Sequence, residues 1–239
     1  MKKEKKYAKM ADGSQIYYEK SGHGLPLFLL HGNDGSGRFF SKQVAIFQRY
    51  YTVYQIDSRG HGRSTNAANV LSFHLMAKDL NTIMRLEKIE QADFLGFSDG
   101  ANLALVFTDS FPKKVHHLIL NSGNTLVTGV RFSARVATNC HYTLIWLLAW
   151  IYPKLRQKLL VIQLLLHDIG LSKNDLKRIK APTLIIVGEK DVIKISHSRY
   201  IAQTIPHATF VLVSKQGHQL ARKDPKRFNR EVLQFLAIN

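Results

Sequence analysis

The chain is poor in cysteine. Among 239 residues it has a single one, Cys140, which excludes an internal disulfide. A chain without disulfides fits the reducing conditions of the cytoplasm, and a cysteine in an apolar segment commonly packs as a small hydrophobic residue. We therefore expect a cytoplasmic protein in which Cys140 is buried and unreactive.

Long apolar runs are also lacking. The longest, 143–152, ends at Pro153, whereas a helix that crosses a bilayer needs about 20 apolar residues. The first nine residues are rich in lysine, like the start of a secretory signal, but 10–24 contains polar residues where a signal would be apolar. The sequence predicts neither a transmembrane helix nor a secretory signal.

Acidic residues are scarce. There are 17 Asp and Glu against 34 Lys and Arg, which gives a net charge of +17. The basic residues are spread over the N-terminus, 154–180 and 215–230, with no recognisable nucleic-acid-binding motif. This distribution favours a solvated basic surface and no specific nucleic-acid partner. It leaves open a weak peripheral association with an anionic surface, and it indicates nothing about the oligomeric state.

What the sequence does have is a regular alternation of strand and helix patterns. Continuous apolar runs, typical of strands buried on both faces, occur at 25–30, 51–56, 92–95, 115–120, 183–187 and 209–213. A partly alternating strand at 14–20 precedes them. Helical periodicity separates or follows them at 39–49, 75–86, 100–110, 196–204 and 227–237. The pattern predicts an α/β fold with a mostly parallel central sheet flanked by helices.

The segment 124–180 interrupts this alternation. It has no clear strand pattern and contains a helical stretch with large apolar residues, among them Trp146 and Trp150. We expect a helical cap inserted in a core domain that consists of 1–123 and 181–239. A cap with an apolar underside would place Trp146 and Trp150 in a substrate pocket. The alternative is that the segment is simply additional core.

A serine stands between two glycines in the sequence GFSDG, 96–100. A short strand runs into the first glycine and a helix pattern leaves the second. A turn this tight leaves no room for side chains at Gly96 and Gly100, and it holds the Ser98 hydroxyl out of the sheet at the carboxyl end of a strand. Open α/β sheets bind ligands at that edge, so Ser98 is a candidate nucleophile.

A serine hydroxyl needs a base to become nucleophilic, and the base needs a group that orients it. His218 follows the last predicted strand and Asp191 follows the strand before it, so both fall at the same sheet edge as Ser98. The order Ser, Asp, His is the one expected for this architecture. Glu189 and Asp224 are the rival acids, and we rank both below Asp191.

Four motifs in this order resemble those of the α/β-hydrolase fold family. They are HGNDGSG at 31–37, DSRGHGRS at 57–64, GFSDG at 96–100, and GEKD at 188–191 with a later GH at 217–218. The resemblance implies that Ser98 is the nucleophile, His218 the general base and then acid, and Asp191 the residue that orients His218. It also implies an oxyanion hole made by the backbone N–H groups of Asn33 and Asp99, and a reaction without a cofactor.

The same resemblance assigns structural roles to other polar residues. The DSRGHGRS turn is mainly architectural in the family, so we expect a structural His61, with Asp57 and Arg59 in local pairs. His31 is expected to hold the oxyanion loop in shape through hydrogen bonds.

The side chains of the two oxyanion-hole residues are a separate question. A carboxylate close to an oxyanion would be unhelpful, so we expect that of Asp99 to point away and bind locally. For the Asn33 side chain, a structural role and a substrate contact stay equally open. His116 and His117 fall within a strand and are expected to pack there, and no spacing of histidines and carboxylates indicates a metal site.

These features predict a serine hydrolase that cleaves a carboxylic ester-like bond of a small or acyl-chain substrate through an acyl-enzyme. The same residues would serve a carbon–carbon bond hydrolase of the β-diketone or meta-cleavage type, or a thioesterase. The alternative from a different class is a non-catalytic protein that binds a small ligand on the same fold. The presence of Ser98, Asp191 and His218 together argues against that alternative.

Overall fold

The central sheet is the framework of the molecule. The computed structural model describes residues 3–238; Met1, Lys2 and Asn239, at the ends of the predicted core domain, lie outside the described residues. Within this range eight strands form one sheet in the order β1-β2-β4-β3-β5-β6-β7-β8. They are β1 Glu4–Lys9, β2 Gln15–Gly22, β3 Leu25–Leu30, β4 Tyr51–Ile56, β5 Ala92–Phe97, β6 Val115–Asn121, β7 Thr183–Lys190 and β8 Ala208–Gly217.

The sheet is mostly parallel, as the sequence predicts, and has one additional strand at its edge. β1 pairs with β2 and β2 with β4 in antiparallel fashion, and all other neighbours are parallel. The mostly parallel sheet is therefore confirmed. The sequence pattern does not predict β1, because its sequence EKKYAK is mainly charged and buries only Ala8. Edge strands need only one buried face and one paired neighbour, so their apolar signal is weak.

Helices cover both faces of this sheet. Those of the described residues are α1 Ser41–Phe47, α2 Phe73–Leu86, α3 Asp99–Ser110, α4 Phe132–Ile151, α5 Leu155–Gln163, α6 Lys173–Lys177, α7 Ile195–Thr204, α8 Leu220–Lys223 and α9 Pro225–Ile238. Along β3, Phe28 and Leu30 pack with α2 and α3, whereas Leu27 and Leu29 pack with α1 and α9. Burial on both faces explains why β3 reads as a continuous apolar run.

Between β6 and β7 the chain forms α4, α5 and α6, with no strand among the described residues of that segment. The start of the segment is fixed to the loop after β7 by a backbone bridge between Val130 and Ile193. α5 and the loop after it bury side chains such as Val161 and Leu164, but α4 buries only Ala149. The segment is therefore joined to the core chiefly through its ends and α5.

The exposure of α4 corrects one prediction. Cys140 lies on this helix and is exposed, so the expectation of a buried thiol is wrong. An apolar neighbourhood in the sequence does not distinguish a core helix from one whose apolar residues face solvent. Within residues 3–238, no helix combines the length and the apolar character needed to span a bilayer.

Candidate active site

The turn between β5 and α3 holds Ser98 in a rare backbone conformation. Ser98 has φ 54° and ψ −120°, and such conformations cost a non-glycine residue about 1–3 kcal/mol. A Cβ atom at Gly96 would overlap the backbone of Gly100, and one at Gly100 would overlap the carbonyl of Leu30. The space around the turn thus requires both glycines, as the sequence predicts. The N–H of Ser98 donates to the carbonyl of Asn121 at 2.8 Å, which ties the turn to β6.

The structure brings Ser98, His218 and Asp191 together at the carboxyl ends of β5, β8 and β7. Ser98 Oγ lies 3.1 Å from His218 Nε2, and His218 Nδ1 lies 2.7 Å from Asp191 Oδ1. Both distances are within hydrogen-bond reach for a nucleophile, a base and an orienting acid. The His218 ring also packs against Phe97, with ring centroids 4.8 Å apart. This geometry allows the Ser98 proton to pass to His218 Nε2.

The carboxylate of Asp191 is fully buried and receives three hydrogen bonds. Besides His218, Oδ1 accepts from the N–H of Ile193 at 3.0 Å, and Oδ2 accepts from the hydroxyl of Ser122 at 2.6 Å. Burial alone would raise the pKa of Asp191, but the hydrogen bonds, that from His218 foremost, outweigh it and hold the pKa below its ordinary value. Asp191 is therefore ionised at neutral pH and can orient the His218 ring through Nδ1.

Ser122 is a contact that the sequence does not reveal. It directly follows β6, and Asp191 directly follows β7, which is the neighbour of β6 in the sheet. Residues after the ends of neighbouring parallel strands meet at one edge, so the strand order is the signal that would have indicated this contact. The strand order is not available from a single sequence.

The two rival acids lie elsewhere. The Glu189 carboxylate accepts the backbone N–H of Lys215 at 2.8 Å and is exposed. Asp224 accepts the N–H of Arg227 at 3.2 Å, at the start of α9. Neither contacts His218, so among these three acids the geometry favours Asp191 as its partner.

Among residues 3–238, neither of the two amides expected to bind an oxyanion has an internal acceptor. The N–H of Asn33 has no hydrogen-bond partner within residues 3–238, and Asp99 begins α3, where the first N–H groups of a helix have no intrahelical acceptor. The Asn33 side chain donates to Asp99 Oδ2 at 2.8 Å and to the carbonyl of Val161 in α5 at 2.7 Å. Its observed contacts are thus structural, and they join the loop after β3, the Ser98 turn and α5.

The carboxyl group of Asp99 is buried beside Ser98. It accepts from Asn33 and, at 3.3 Å, from the side chain of Asn102, which agrees with the expectation that it binds locally. Burial raises its pKa to about 6, although the Asn33 hydrogen bond and the nearby His218 act in the opposite direction. Asp99 therefore titrates at about pH 6. Its carboxyl group is in hydrogen-bond contact with the side chains of Asn33 and Asn102.

His31, and His61 of the DSRGHGRS turn, form hydrogen bonds that hold the neighbouring loops in place, as expected. His31 Nε2 accepts the N–H of Ser58 at 3.0 Å and its Nδ1 lies 2.7 Å from the Gly32 carbonyl, and burial lowers the His31 pKa to about 3. His61 Nδ1 lies 2.8 Å from the carbonyl of Arg59. His31 is therefore a neutral link between the loops after β3 and β4.

Asp57 and Arg59 in that turn do not pair with each other. Arg59 donates two hydrogen bonds to Asp79 at 2.7 and 2.8 Å and also pairs with Asp12. Asp57 instead accepts backbone N–H groups, that of Gly37 at 2.7 Å among them. Asp57 also accepts the N–H of Arg63, in its own turn, at 2.9 Å, so the expected local pairing holds for Asp57. Arg59 is instead linked to α2 and to the β1–β2 turn, because its long side chain reaches past its own loop.

A cavity of about 260 Å³ lies next to this site, between the start of α3 and the helical segment. Its walls include Asp99 and Asn102, Arg135 of α4, and leucines from the loop after α5. The side chains of Trp146 and Trp150 are not among those walls and are largely exposed, in edge contact with each other. The structure thus places these two residues outside this cavity.

A cluster with metal-ligating groups lies at the other end of β5. Asp93, His116 and His117 place one ligand atom each within 4.8 Å of one another, the sole such group found in residues 3–238. Asp93 Oδ1 already lies 3.1 Å from His116 Nδ1 and 2.9 Å from His117 Nδ1. A shift of register between β5 and β6 at Ala92–Phe94 accompanies this arrangement of consecutive histidines. Sequence spacing could not predict the cluster, since its members meet across two strands.

Known proteins resemble the chain over most of its length. The model of the α/β hydrolase fold matches residues 26–137. Serine hydrolase BPHL from Homo sapiens is 27% identical over 96% of this chain and 86% of its own.

Two solved structures of about the same length as this chain share its fold. A meta-cleavage product hydrolase from Pseudomonas fluorescens IP01 has a TM-score of 0.79 and 21% identity, covering 97% of both chains. A thermophilic esterase from Thermogutta terrifontis has a TM-score of 0.77 and 20% identity, covering 99% and 98%. With its eight-stranded sheet and these similarities, the chain has the α/β-hydrolase fold, and the proteins that it resembles are hydrolases.

Proposed function

We propose that the protein is a serine hydrolase that cleaves a carboxylic ester-like bond of a small or acyl-chain substrate through an acyl-enzyme. The observation that carries the proposal is the hydrogen-bonded series Ser98, His218 and Asp191, with distances of 3.1 and 2.7 Å. Asp191 is buried and ionised, as an orienting acid must be, and Ser98 stands at the edge of the sheet where such folds bind ligands.

The reaction would proceed in two halves. Ser98 Oγ attacks the carbonyl carbon while His218 Nε2 takes its proton, and the tetrahedral oxyanion is bound by the N–H groups of Asn33 and Asp99. His218 then protonates the leaving alcohol. Water, deprotonated by His218, releases the acid from Ser98. One oxyanion donor is typically worth about 2.7–4 kcal/mol of transition-state stabilisation.

The segment 124–180 would act as a cap over this site. Three contacts support this role: Asn33 with the Val161 carbonyl, Lys158 with Asp34 at 2.6 Å, and Arg131 with the carbonyl of Asp191 at 2.7 Å. Each joins the segment to a loop that carries a proposed catalytic or oxyanion-binding residue. A cap held in this way would exclude water from the acyl-enzyme.

A specific feature favours a second candidate, the hydrolysis of a carbon–carbon bond in a β-diketone that bears a carboxylate. Arg135 and Asn102 both line the cavity beside Asp99. A guanidinium group binds carboxylates in bidentate fashion. A neutral ester has no carboxylate and would not need such a group in its binding site. The proposed nucleophile, base and acid would be the same in either reaction.

The test measures kcat/KM on p-nitrophenyl esters from acetyl to decanoyl and on a meta-cleavage-type diketone acid. We expect ester hydrolysis that Ser98→Ala reduces by about 10⁴-fold or more. Ser110→Ala, at the exposed far end of α3, is the matched control and should retain activity. Faster turnover of the diketone acid, with a rise in KM for that substrate alone in Arg135→Gln, would establish the second candidate. Hydrolysis of neither substrate class by folded protein would contradict both.

A further inference from the structure

Helix α4 presents an apolar stripe to solvent. Residues on one side of the helix, spaced by three or four, are all exposed: Phe132, Val136, Cys140, Thr143, Leu147 and Trp150. The largest exposed fractions are 77% for Trp150, 74% for Phe132 and 71% for Ile151. Monomeric soluble proteins rarely expose a continuous apolar patch of this kind without a binding partner. We call these residues, with Leu144, Trp146, Ile151 and Tyr152 beside them, the α4 patch.

The segment that carries the α4 patch is basic and has no acidic residue in its sequence. The chain has no Asp or Glu between 110 and 167, whereas 131–158 alone carries Arg131, Arg135, Lys154, Arg156 and Lys158. Lys154 lies in the turn between α4 and α5, and Arg156 lies in the first turn of α5. Both are exposed and have no ion pair within residues 3–238. The patch therefore combines apolar side chains with unpaired positive charge.

We propose that the α4 patch docks this protein on an anionic lipid surface, with α4 lying flat in the interface. Interfacial helices have this composition, with Trp and Leu on the buried face and Lys or Arg around it. Trp146, Trp150 and Tyr152 supply the amphipathic rings that favour the headgroup region. The helix lies on the membrane and does not cross it.

Charge selects lipid over a second copy of the chain as the occupant. Two copies packed patch to patch would bring two acid-free, basic surfaces together, with no carboxylate in 110–167 to compensate them. An anionic bilayer compensates the unpaired charges of Lys154 and Arg156, and the net charge of +17 adds long-range attraction. The inference concerns a surface away from Ser98 and stands independently of the proposed reaction.

The chain offers a built-in reporter for the test. Cys140 is the single cysteine and lies exposed within the α4 patch, so the purified protein can carry one environment-sensitive fluorophore there. The labelled protein is titrated with vesicles of phosphatidylcholine alone and of phosphatidylcholine with phosphatidylglycerol, at low and high salt. Flotation of the unlabelled protein with the same vesicles measures binding without the probe.

We expect binding and a blue shift with the phosphatidylglycerol vesicles, and affinity that falls with salt. Trp150→Ala with Leu147→Ala should weaken binding by about tenfold or more, and Lys154→Gln with Arg156→Gln by about 30-fold. The matched controls are Leu86→Ala, an exposed leucine on α2, and Lys5→Gln with Lys9→Gln, exposed lysines on β1. Both controls should bind like the wild type.

Three results would overturn the proposal. One is that the protein binds neither type of vesicle. Another is equal binding to both vesicle types without salt dependence. The third is a concentration-dependent dimer in sedimentation that Trp150→Ala with Leu147→Ala dissolves, with no vesicle binding, which would assign the α4 patch to a second copy.

Discussion

Helices α3 and α4 are both rich in apolar residues, but they occupy opposite environments. In α3, ten of 12 residues are buried between β5 and α2, whereas in the 20 residues of α4 only Ala149 is buried. The apolar residues of α3 hold the Ser98 turn in place, and those of α4 remain available for a partner. The molecule thus separates a closely packed part that positions Ser98, which we call the rigid part, from a helical segment whose apolar residues face solvent.

The largest expected effect belongs to the rigid part. Asp191→Asn should lower kcat/KM for an ester by about 10⁴-fold, because the amide would favour the wrong tautomer of His218. Glu189→Gln, two residues away on β7 and turned toward Lys215, is the control and should stay within about twofold. Steady-state kinetics on both variants measures the difference. Equal losses of kcat/KM in the two variants would contradict the assignment of Asp191, rather than Glu189, as the acid that orients His218.

A matched pair of leucines compares the two helices directly. Leu105→Ala in α3 removes a fully buried side chain and should lower the free energy of unfolding by about 2–5 kcal/mol. Leu147→Ala in α4 removes one that is 55% exposed and should change it by at most about 0.5 kcal/mol. Urea denaturation followed by circular dichroism measures both. If Leu147→Ala were as damaging as Leu105→Ala, α4 would be part of the core.

The buried Asp99 should make stability depend on pH. Its pKa in the folded chain, about 6, lies above the ordinary value of 3.8, so the protonated carboxyl stabilises the fold. That stabilisation is complete below about pH 4 and is lost as the pH rises through 6. Asp99→Asn cannot titrate, so its stability relative to the wild type should rise between pH 4 and pH 8, by up to about 3 kcal/mol. Urea denaturation across this range measures the difference, and a constant one would contradict the raised pKa.

The smallest effect concerns the contact between the two parts. Asn33→Ala removes hydrogen bonds to Asp99 and to the Val161 carbonyl, and should lower the free energy of unfolding by about 1–3 kcal/mol. Asn139→Ala is the control, since the Asn139 side chain is exposed and donates only to the Arg135 carbonyl within α4. Thermal unfolding of the two variants measures the difference in stability. Equal unfolding temperatures would mean that α5 is held by apolar packing alone.

The rigid part was largely predictable from the sequence. β3 and β4 are continuous apolar runs, and the structure has them at the predicted bounds. The spatial demand on Gly96 and Gly100 follows from the tightness of the turn alone. Ser98, Asp191 and His218 were found because parallel strands bring their carboxyl ends to one edge, so that strand positions fix which loops meet.

The helical segment was predictable only as helix. Its periodicity indicates α4, but the large residues Trp146 and Trp150 could equally face a pocket, a core or solvent. Contacts between distant loops were not predictable either: Ser122 with Asp191, and Asn33 with Val161, depend on strand order and on how α5 lies over the core. A single sequence carries periodicity within elements but little information on which elements touch.

The most direct test of the proposed chemistry is the reaction of the protein with a fluorophosphonate, followed by intact-mass and peptide mass spectrometry. We predict one adduct per chain, on Ser98, which is absent in Ser98→Ala and strongly slowed in His218→Ala, with Ser110→Ala unaffected. An adduct on another residue, or no reaction in a chain whose circular dichroism shows it to be folded, would contradict an activated Ser98 and favour a small-ligand-binding protein on this fold.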